Sequence, residues 1–292
     1  MHEFAVATPY GRIAGLRSGD TCGARVLALH GWLDNAASFV PIAPHLHDID
    51  LVAPDLPGHG HSDHLPTAAS YGMDGAVHAV LAIADALGWD RFAVLGHSMG
   101  AGIGSLLAAA CPQRITRLVA IEALGPLSEA EDRTAQRLRE SVLAARTLPG
   151  KRLRVFADID SAIRARKQAN ALGDEAARLL VERGLRDVES GHVWRSDPRL
   201  TLPSAWRLTE PQVRDLLAQI ECPLAIVFAD PAPDFFPEPL RQARAALPAR
   251  AQLHMLPGSH HLHMEQPGVV AAVVRPFLVG SAMRPAGAGP SP

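Results

Sequence analysis

The chain has 292 residues, 48% hydrophobic and 20% charged, with a formal net charge of -2. It can bury a sizeable core, and a near-neutral balance without a basic stripe excludes an electrostatic grip on nucleic acid. Cys22, Cys111 and Cys222 are widely spaced and form no C-x-x-C pair, so neither a disulfide framework nor a cysteine zinc site is indicated. The N-terminus lacks a positive segment followed by a long apolar core, and no run of about 18 apolar residues occurs, so a cytoplasmic protein without a membrane partner is expected.

In chain order, "FAVATPYGRIAGLRSG" alternates and turns at Thr8-Pro9-Tyr10-Gly11, which predicts an opening antiparallel hairpin. The runs "ARVLALHGW", "IDLVAPDLPG", "RFAVLGHS", "TRLVAIEALG", "CPLAIVFAD" and "AQLHMLPGSH" are short, apolar and end in Gly, Asp or His. They read as strands buried on both faces. Between them, residues 72 to 87 place Met73, Val77, Val80, Leu81, Ala84 and Leu87 on one helical face, and Val269, Val270, Val273, Val274 and Phe277 do the same near the C-terminus. Alternating strands and helices predict an α/β fold with a mostly parallel sheet and helices on both faces.

Residues 126 to 220 break the rhythm, mixing arginine and glutamate with alanine and leucine and containing no strong strand run. They are expected to form a helical cap over the carboxyl edge of the sheet, where such folds bind ligands. Ser128 and Glu131 fit a capping box, predicting a helix from about Glu129. The expected organisation is therefore a core of residues 1–125 and 221–279, a cap of residues 126–220, and a disordered Gly/Pro/Ala/Ser tail of residues 280–292.

The most informative stretch is "FAVLGHSMGAGIG". Phe92 to Leu95 read as a buried strand and Met99 to Ala110 as a helix, which sets Ser98 at the corner inside a G-x-S-x-G pattern. Such a corner strains the serine backbone and exposes its hydroxyl, while flanking glycines avoid Cβ collisions. A serine is a weak nucleophile at neutral pH and needs a base, an acid to orient that base, and donors for an oxyanion. "LPGSHHLHMEQP", after the last strand, offers His260, His261 and His263. Their spacing does not suit helical metal ligands, and no H-E-x-x-H accompanies them, so no metal is expected.

Here the sequence resembles the α/β-hydrolase superfamily, whose last strand precedes a Gly-x-His segment with Glu and Pro downstream. The resemblance implies an eight-stranded α/β-hydrolase fold and selects His260 as base, with His261 and His263 lining or shaping the substrate pocket. It also points to "LALHGWLDN", implying an oxyanion hole from the backbone N–H groups of Trp32 and Met99. Asp34 and Asn35 are expected to cap the next helix. The glycine turn in "DLPGHGHSD" is implied to brace the nucleophile loop, with His59 and His61 in structural hydrogen bonds and His97 forming a wall.

The acid is open: the slot that usually holds it has alanine, at Ala229 or Ala232, leaving Asp230 first, Glu122 second and Asp234 third. "HGWLDNAASF", "GHSMGAGIGSLLAAACP", "IEALGP", "LLVERGL" and "WRSDPRLTLPSAWRLTEPQV" together look like the serine hydrolase-like branch of the superfamily. The implied activity is carboxylesterase-like hydrolysis of an ester or related acyl bond in a small apolar substrate, without a cofactor, with Trp194 and Trp206 lining the pocket. Alternatives are a lactone or carbon-carbon bond hydrolase with the same triad, or a ligand-binding protein without turnover. A homodimer is a further possibility left open by the apolar cap helices.

Overall fold

A computed structural model describes residues 1–148 and 154–280. Strands β1 (His2–Thr8) and β2 (Gly11–Ser18) form the expected hairpin, with Thr8 opposite Gly11. They are followed by β3 (Ala24–Leu29), β4 (Ile49–Pro54), β5 (Phe92–His97) and β6 (Ile115–Ile121). Further along come β7 (Leu185–Val188), β8 (Gly191–Trp194), β9 (Leu224–Asp230) and β10 (Ala251–Pro257). Eight of these form one sheet in the order β1-β2-β4-β3-β5-β6-β9-β10, while β7 and β8 pair separately. Strand β2 runs antiparallel to both neighbours, and the remaining pairs are parallel.

The continuous apolar runs follow from covering both faces of the sheet. Side chains alternate across a strand, so Leu27, Leu29 and Val94 join one core cluster while Val26, Ala28, Ala93 and Leu95 join the other. Helices α1 (Met73–Ala86) and α2 (Met99–Ala110) close the first face through Val80, Ile83, Ala84, Ile103 and Leu107. The Met99 and Ala110 bounds of α2 are those read from the sequence.

The cap region contains α3 (Thr134–Thr147), α4 (Ile159–Asn170), α5 (Asp174–Gly184) and α6 (Glu210–Ala218). The chain then adds α7 (Glu238–Ala245), the single turn α8 (Leu262–Glu265) and α9 (Pro267–Val279). Helix α9 covers the second face of the sheet with Val270, Ala271, Val274 and Phe277, while Val269 falls on the solvent side.

Three sequence expectations for residues 126–220 change. The β7/β8 hairpin interrupts the helices, and Phe156 bridges to His192 beside it. Ser128 is not an N-cap: its hydroxyl donates to Glu210 Oε2 at 2.7 Å, and α3 starts only at Thr134, after a short 3-10 turn at Glu131–Arg133. The capping box is instead Thr209 with Gln212, opening α6. Helix α6 also buries Val213 and Leu217 in the cluster around α2, so it packs as part of the core, whereas α4 and α5 share a smaller cluster with Phe156 and Met264. The tail from residue 281 onward lies outside the described residues. Among those described, no helix is long and apolar enough to cross a membrane.

Candidate active site

Ser98 joins β5 to α2 with φ 51° and ψ -114°, a backbone state that costs a non-glycine residue about 1–3 kcal/mol. The corner holds because the Ser98 N–H donates to the Ile121 carbonyl at 2.8 Å and its own carbonyl accepts from Ala101 and Gly102. Two glycines permit the approach. A Cβ on Gly100 would lie 1.9 Å from the Leu29 carbonyl oxygen, and one on Gly96 would lie 2.5 Å from the Ala101 backbone.

His260, between β10 and α8, donates from Nδ1 to Glu122 Oε2 at 3.1 Å. With that proton committed, Nε2 of the neutral ring is an acceptor, able to take a proton from a hydroxyl. Burial pushes the His260 pKa below the usual imidazole value, partly opposed by the Glu122 hydrogen bond, which raises it. Phe235 stands edge-on to the ring at 5.3 Å and is itself 53% exposed.

Glu122 ends β6 with φ 62°, which turns its side chain inward, where it is 1% exposed. Its Oε1 accepts from the Ala229 N–H at 2.6 Å, and Arg241 Nη2 reaches both carboxylate oxygens at 3.0 and 3.1 Å. Arg241 is wholly buried between the rings of Phe228 and Phe236, and its Nη1 donates to the Ala229 carbonyl. The Asp230 preference therefore gives way in the geometry. Asp230, the last residue of β9, is exposed where the strand leaves the covered sheet, and Asp234 is exposed in the following loop, whereas the Ala229 N–H donates to Glu122. Among the described residues, Glu122 supplies the carboxylate that reaches His260. No local pattern marks Arg241 or Phe235; both matter only because α7 and the β9–α7 loop fold back over the end of β6.

The loop after β3 is pinned by His30, whose Nδ1 donates to the Gly31 carbonyl at 2.7 Å and whose Nε2 accepts from the Leu56 N–H at 3.0 Å. Trp32 follows; its indole N–H donates to the Leu200 carbonyl at 2.8 Å, tying this loop to the cap. Met99 opens α2, so its N–H is among the first four that the helix leaves without an internal partner. Asn35 does cap the next 3-10 turn, accepting from the Ala37 N–H, but Asp34 does not.

Asp34 instead lies buried between His97 and His261, the chain neighbours of Ser98 and His260. Its Oδ1 is ion-paired with Arg166 of α4, and its Oδ2 lies 3.4 Å from His261 Nε2 and 3.7 Å from His97 Nδ1. Burial alone would raise the Asp34 carboxyl, but the neighbouring His261 and His97 and the Arg166 charge hold it well below the usual range. His97 is more than a wall: its Nε2 donates to the His260 carbonyl at 2.8 Å. His263 Nε2 meets Ser38 Oγ at 2.8 Å. His261 and His263 are 3% and 0% exposed, so they pack beneath the site and do not line an open pocket.

The "DLPGHGHSD" turn braces different partners from those the resemblance implied. Asp55 accepts from the N–H groups of Ala36 and His61 and pairs with Arg183 of α5, which also reaches Glu3. It thus ties the loop after β3 to the cap. His59 Nδ1 donates to the Pro57 carbonyl at 3.1 Å. Trp194 packs edge-on against Phe156 and lines a narrow crevice of about 10 Å³, room for little more than a water molecule, with Leu33, Asp34, Arg166 and Leu180; neither Ser98 nor His260 lines it. Trp206 is 66% exposed, beside a shallow surface depression formed with Glu129 and Arg137.

Residues 24–158 match the family model described as alpha/beta hydrolase fold. A serine hydrolase-like protein of Dictyostelium discoideum is 32% identical over 269 residues, covering 87% of this chain and 74% of the relative. The chain belongs to the serine hydrolase-like branch of the α/β-hydrolase superfamily. Serine hydrolase-like protein 2 of Homo sapiens is 30% identical, covering 98% of this chain and 96% of its own. A hypothetical protein of Pseudomonas aeruginosa superposes with a TM-score of 0.89 at 40% identity, over 95% of this chain and 98% of that one. The protein is a hydrolase by this kinship, with the fold expected from the sequence.

Proposed function

We propose that this serine hydrolase cleaves an ester or related acyl bond of a small apolar substrate through Ser98, His260 and Glu122. The reading is carried by the Glu122–His260 hydrogen bond, taken together with Ser98 in strained backbone geometry at the strand-to-helix corner. Glu122 holds the imidazole so that Nε2 accepts the Ser98 proton as Oγ attacks the carbonyl carbon. The backbone N–H groups of Trp32 and Met99 then stabilise the tetrahedral oxyanion, each contributing about 3–4 kcal/mol in comparable sites. The imidazolium returns the proton to the leaving alkoxide, and water, deprotonated by the same ring, releases the acid from the acyl-enzyme. Arg241, wholly buried, grips both oxygens of Glu122 and fixes its orientation from the side away from His260.

Exposed apolar side chains, Phe235 against the His260 ring and Trp32 in the loop after β3, support an apolar acyl group. The test is labelling of the intact protein with a fluorophosphonate, with the site located by mass, alongside a series of p-nitrophenyl esters of increasing acyl length. Stoichiometric labelling at Ser98, abolished in His260→Ala, supports the reading. A folded sample that neither labels nor turns over any ester favours a ligand-binding protein instead.

A further inference from the structure

Asp34, His97 and His261 come from three separate segments: the loop after β3, the end of β5 and the turn before α8. One donor atom from each lies within 4.8 Å of the others, and all three residues are at most 3% exposed. The separations from Asp34 Oδ2, 3.4 Å to His261 Nε2 and 3.7 Å to His97 Nδ1, are long for hydrogen bonds. Bonds of about 2.0–2.1 Å to one tetrahedral ion put neighbouring ligand atoms about 3.3–3.4 Å apart; the His261 separation equals this and the His97 separation exceeds it by about 0.3 Å, a shift that small rotations of the side chains close.

The tautomer of His97 sharpens the point. Its Nε2 must carry the hydrogen donated to the His260 carbonyl, so in the neutral ring Nδ1 presents a lone pair. That nitrogen and Asp34 Oδ2 are both buried without a hydrogen-bond partner among the described residues. Two lone-pair donors facing each other across a dry gap repel unless a cation lies between them. Gly31 leaves the gap open, since a Cβ there would sit 2.9 Å from Asp34 Oδ2 and 3.1 Å from His97 Nδ1.

We propose that Asp34 Oδ2, His97 Nδ1 and His261 Nε2 bind one divalent transition-metal ion, zinc being the best match, through residues adjacent in the chain to Ser98 and His260. Two imidazoles with one carboxylate suit zinc and its first-row neighbours and disfavour calcium and magnesium, which prefer all-oxygen shells. Two of the three ligands have the outer contacts usual for a metal site: the far nitrogen of His97 is fixed by a backbone carbonyl and the far oxygen of Asp34 by Arg166, while His261 Nδ1 is buried without a partner among the described residues. The spacing of His260, His261 and His263 concealed the site because only one of the three joins it. Bound zinc would fasten the segments next to Ser98 and next to His260 to each other, and this role does not depend on the proposed chemistry.

The experiment uses the full chain, stripped with a chelator and desalted, then titrated with zinc chloride by calorimetry while thermal unfolding is followed. One zinc per chain with a raised Tm is expected. Affinity should fall by more than about tenfold in His261→Gln and in Asp34→Asn, and stay unchanged in His263→Gln. If those variants do not fold, cobalt(II) added to the wild-type protein decides: intense visible bands of a four-coordinate site support the proposal, and the weak spectrum of a six-coordinate ion on exposed histidines overturns it. Folded wild-type protein that takes up no zinc, or zinc binding that survives both ligand substitutions, also overturns it; the gap would then hold only a proton on His97.

Discussion

The carboxylate of Glu122 and the imidazole of His260 meet at 3.1 Å, although 138 residues separate them, and Arg241 closes the other side of the same carboxylate. Glu122→Gln keeps the shape but lets the amide favour the wrong tautomer of His260. By comparison with acid-to-amide changes in other triads, kcat should fall by about 10⁴. Asp230→Asn, at an exposed strand end, should change rates by no more than about twofold. Ester hydrolysis by the two variants checks this; a large loss in Asp230→Asn with little in Glu122→Gln would reverse the assignment.

The elbow glycines are not equivalent. Gly100→Ala would force a Cβ to within 1.9 Å of a backbone carbonyl in β3 and should cost more than about 3 kcal/mol or prevent folding. A Cβ on Gly102 would meet the flexible end of Met73 at 3.1 Å and the Gly125 carbonyl oxygen at 3.3 Å, a fit that needs only a few tenths of an ångström of give, so Gly102→Ala should cost no more than about 1–2 kcal/mol, well below Gly100→Ala. Urea midpoints of the two proteins measure the contrast, and equal behaviour would mean that the tight approach of α2 to β3 is not as described.

Cap docking depends on the Arg183–Asp55 pair, 7% and 0% exposed. Arg183→Met leaves the Asp55 carboxylate buried with only N–H donors, which should destabilise the protein by about 3–5 kcal/mol. Adding Asp55→Asn should recover part of the loss because the stranded charge is gone. Denaturant unfolding of the single and double variants tests this, and a single-variant change below about 1 kcal/mol would show that water reaches the pair.

Acid should weaken the fold through histidines buried in neutral form. Burial, reinforced by the neighbouring His30, lowers His59 to about 3. Between that value and the ordinary 6.5, the unfolded chain binds a proton that the folded chain refuses, so stability falls as pH falls through this window. From pH 6.5 to 5 one such group contributes about 2 kcal/mol. His59→Gln should flatten the pH dependence of the urea midpoint; an unaltered slope would remove His59 as a source.

Features set by short stretches of chain were legible in the sequence. The β1/β2 hairpin, the buried strands, the Ser98 corner and the bounds of α2 depend on local apolar pattern and on glycines within a few residues of one another. Even there, Ser128 and Asp34 looked like helix caps because each precedes a helical pattern, and tertiary partners, Glu210 for one and Arg166 with two histidines for the other, claimed them instead. The choice of Glu122 over Asp230 turned on a positive φ just after β6, on the Ala229 N–H of a neighbouring strand, and on an arginine 119 positions away. Backbone preference is encoded by neighbours in the chain, but a buried charge goes where distant elements bring an opposite charge and hydrogen-bond donors together. Only the assembled sheet and its helices decide where that is.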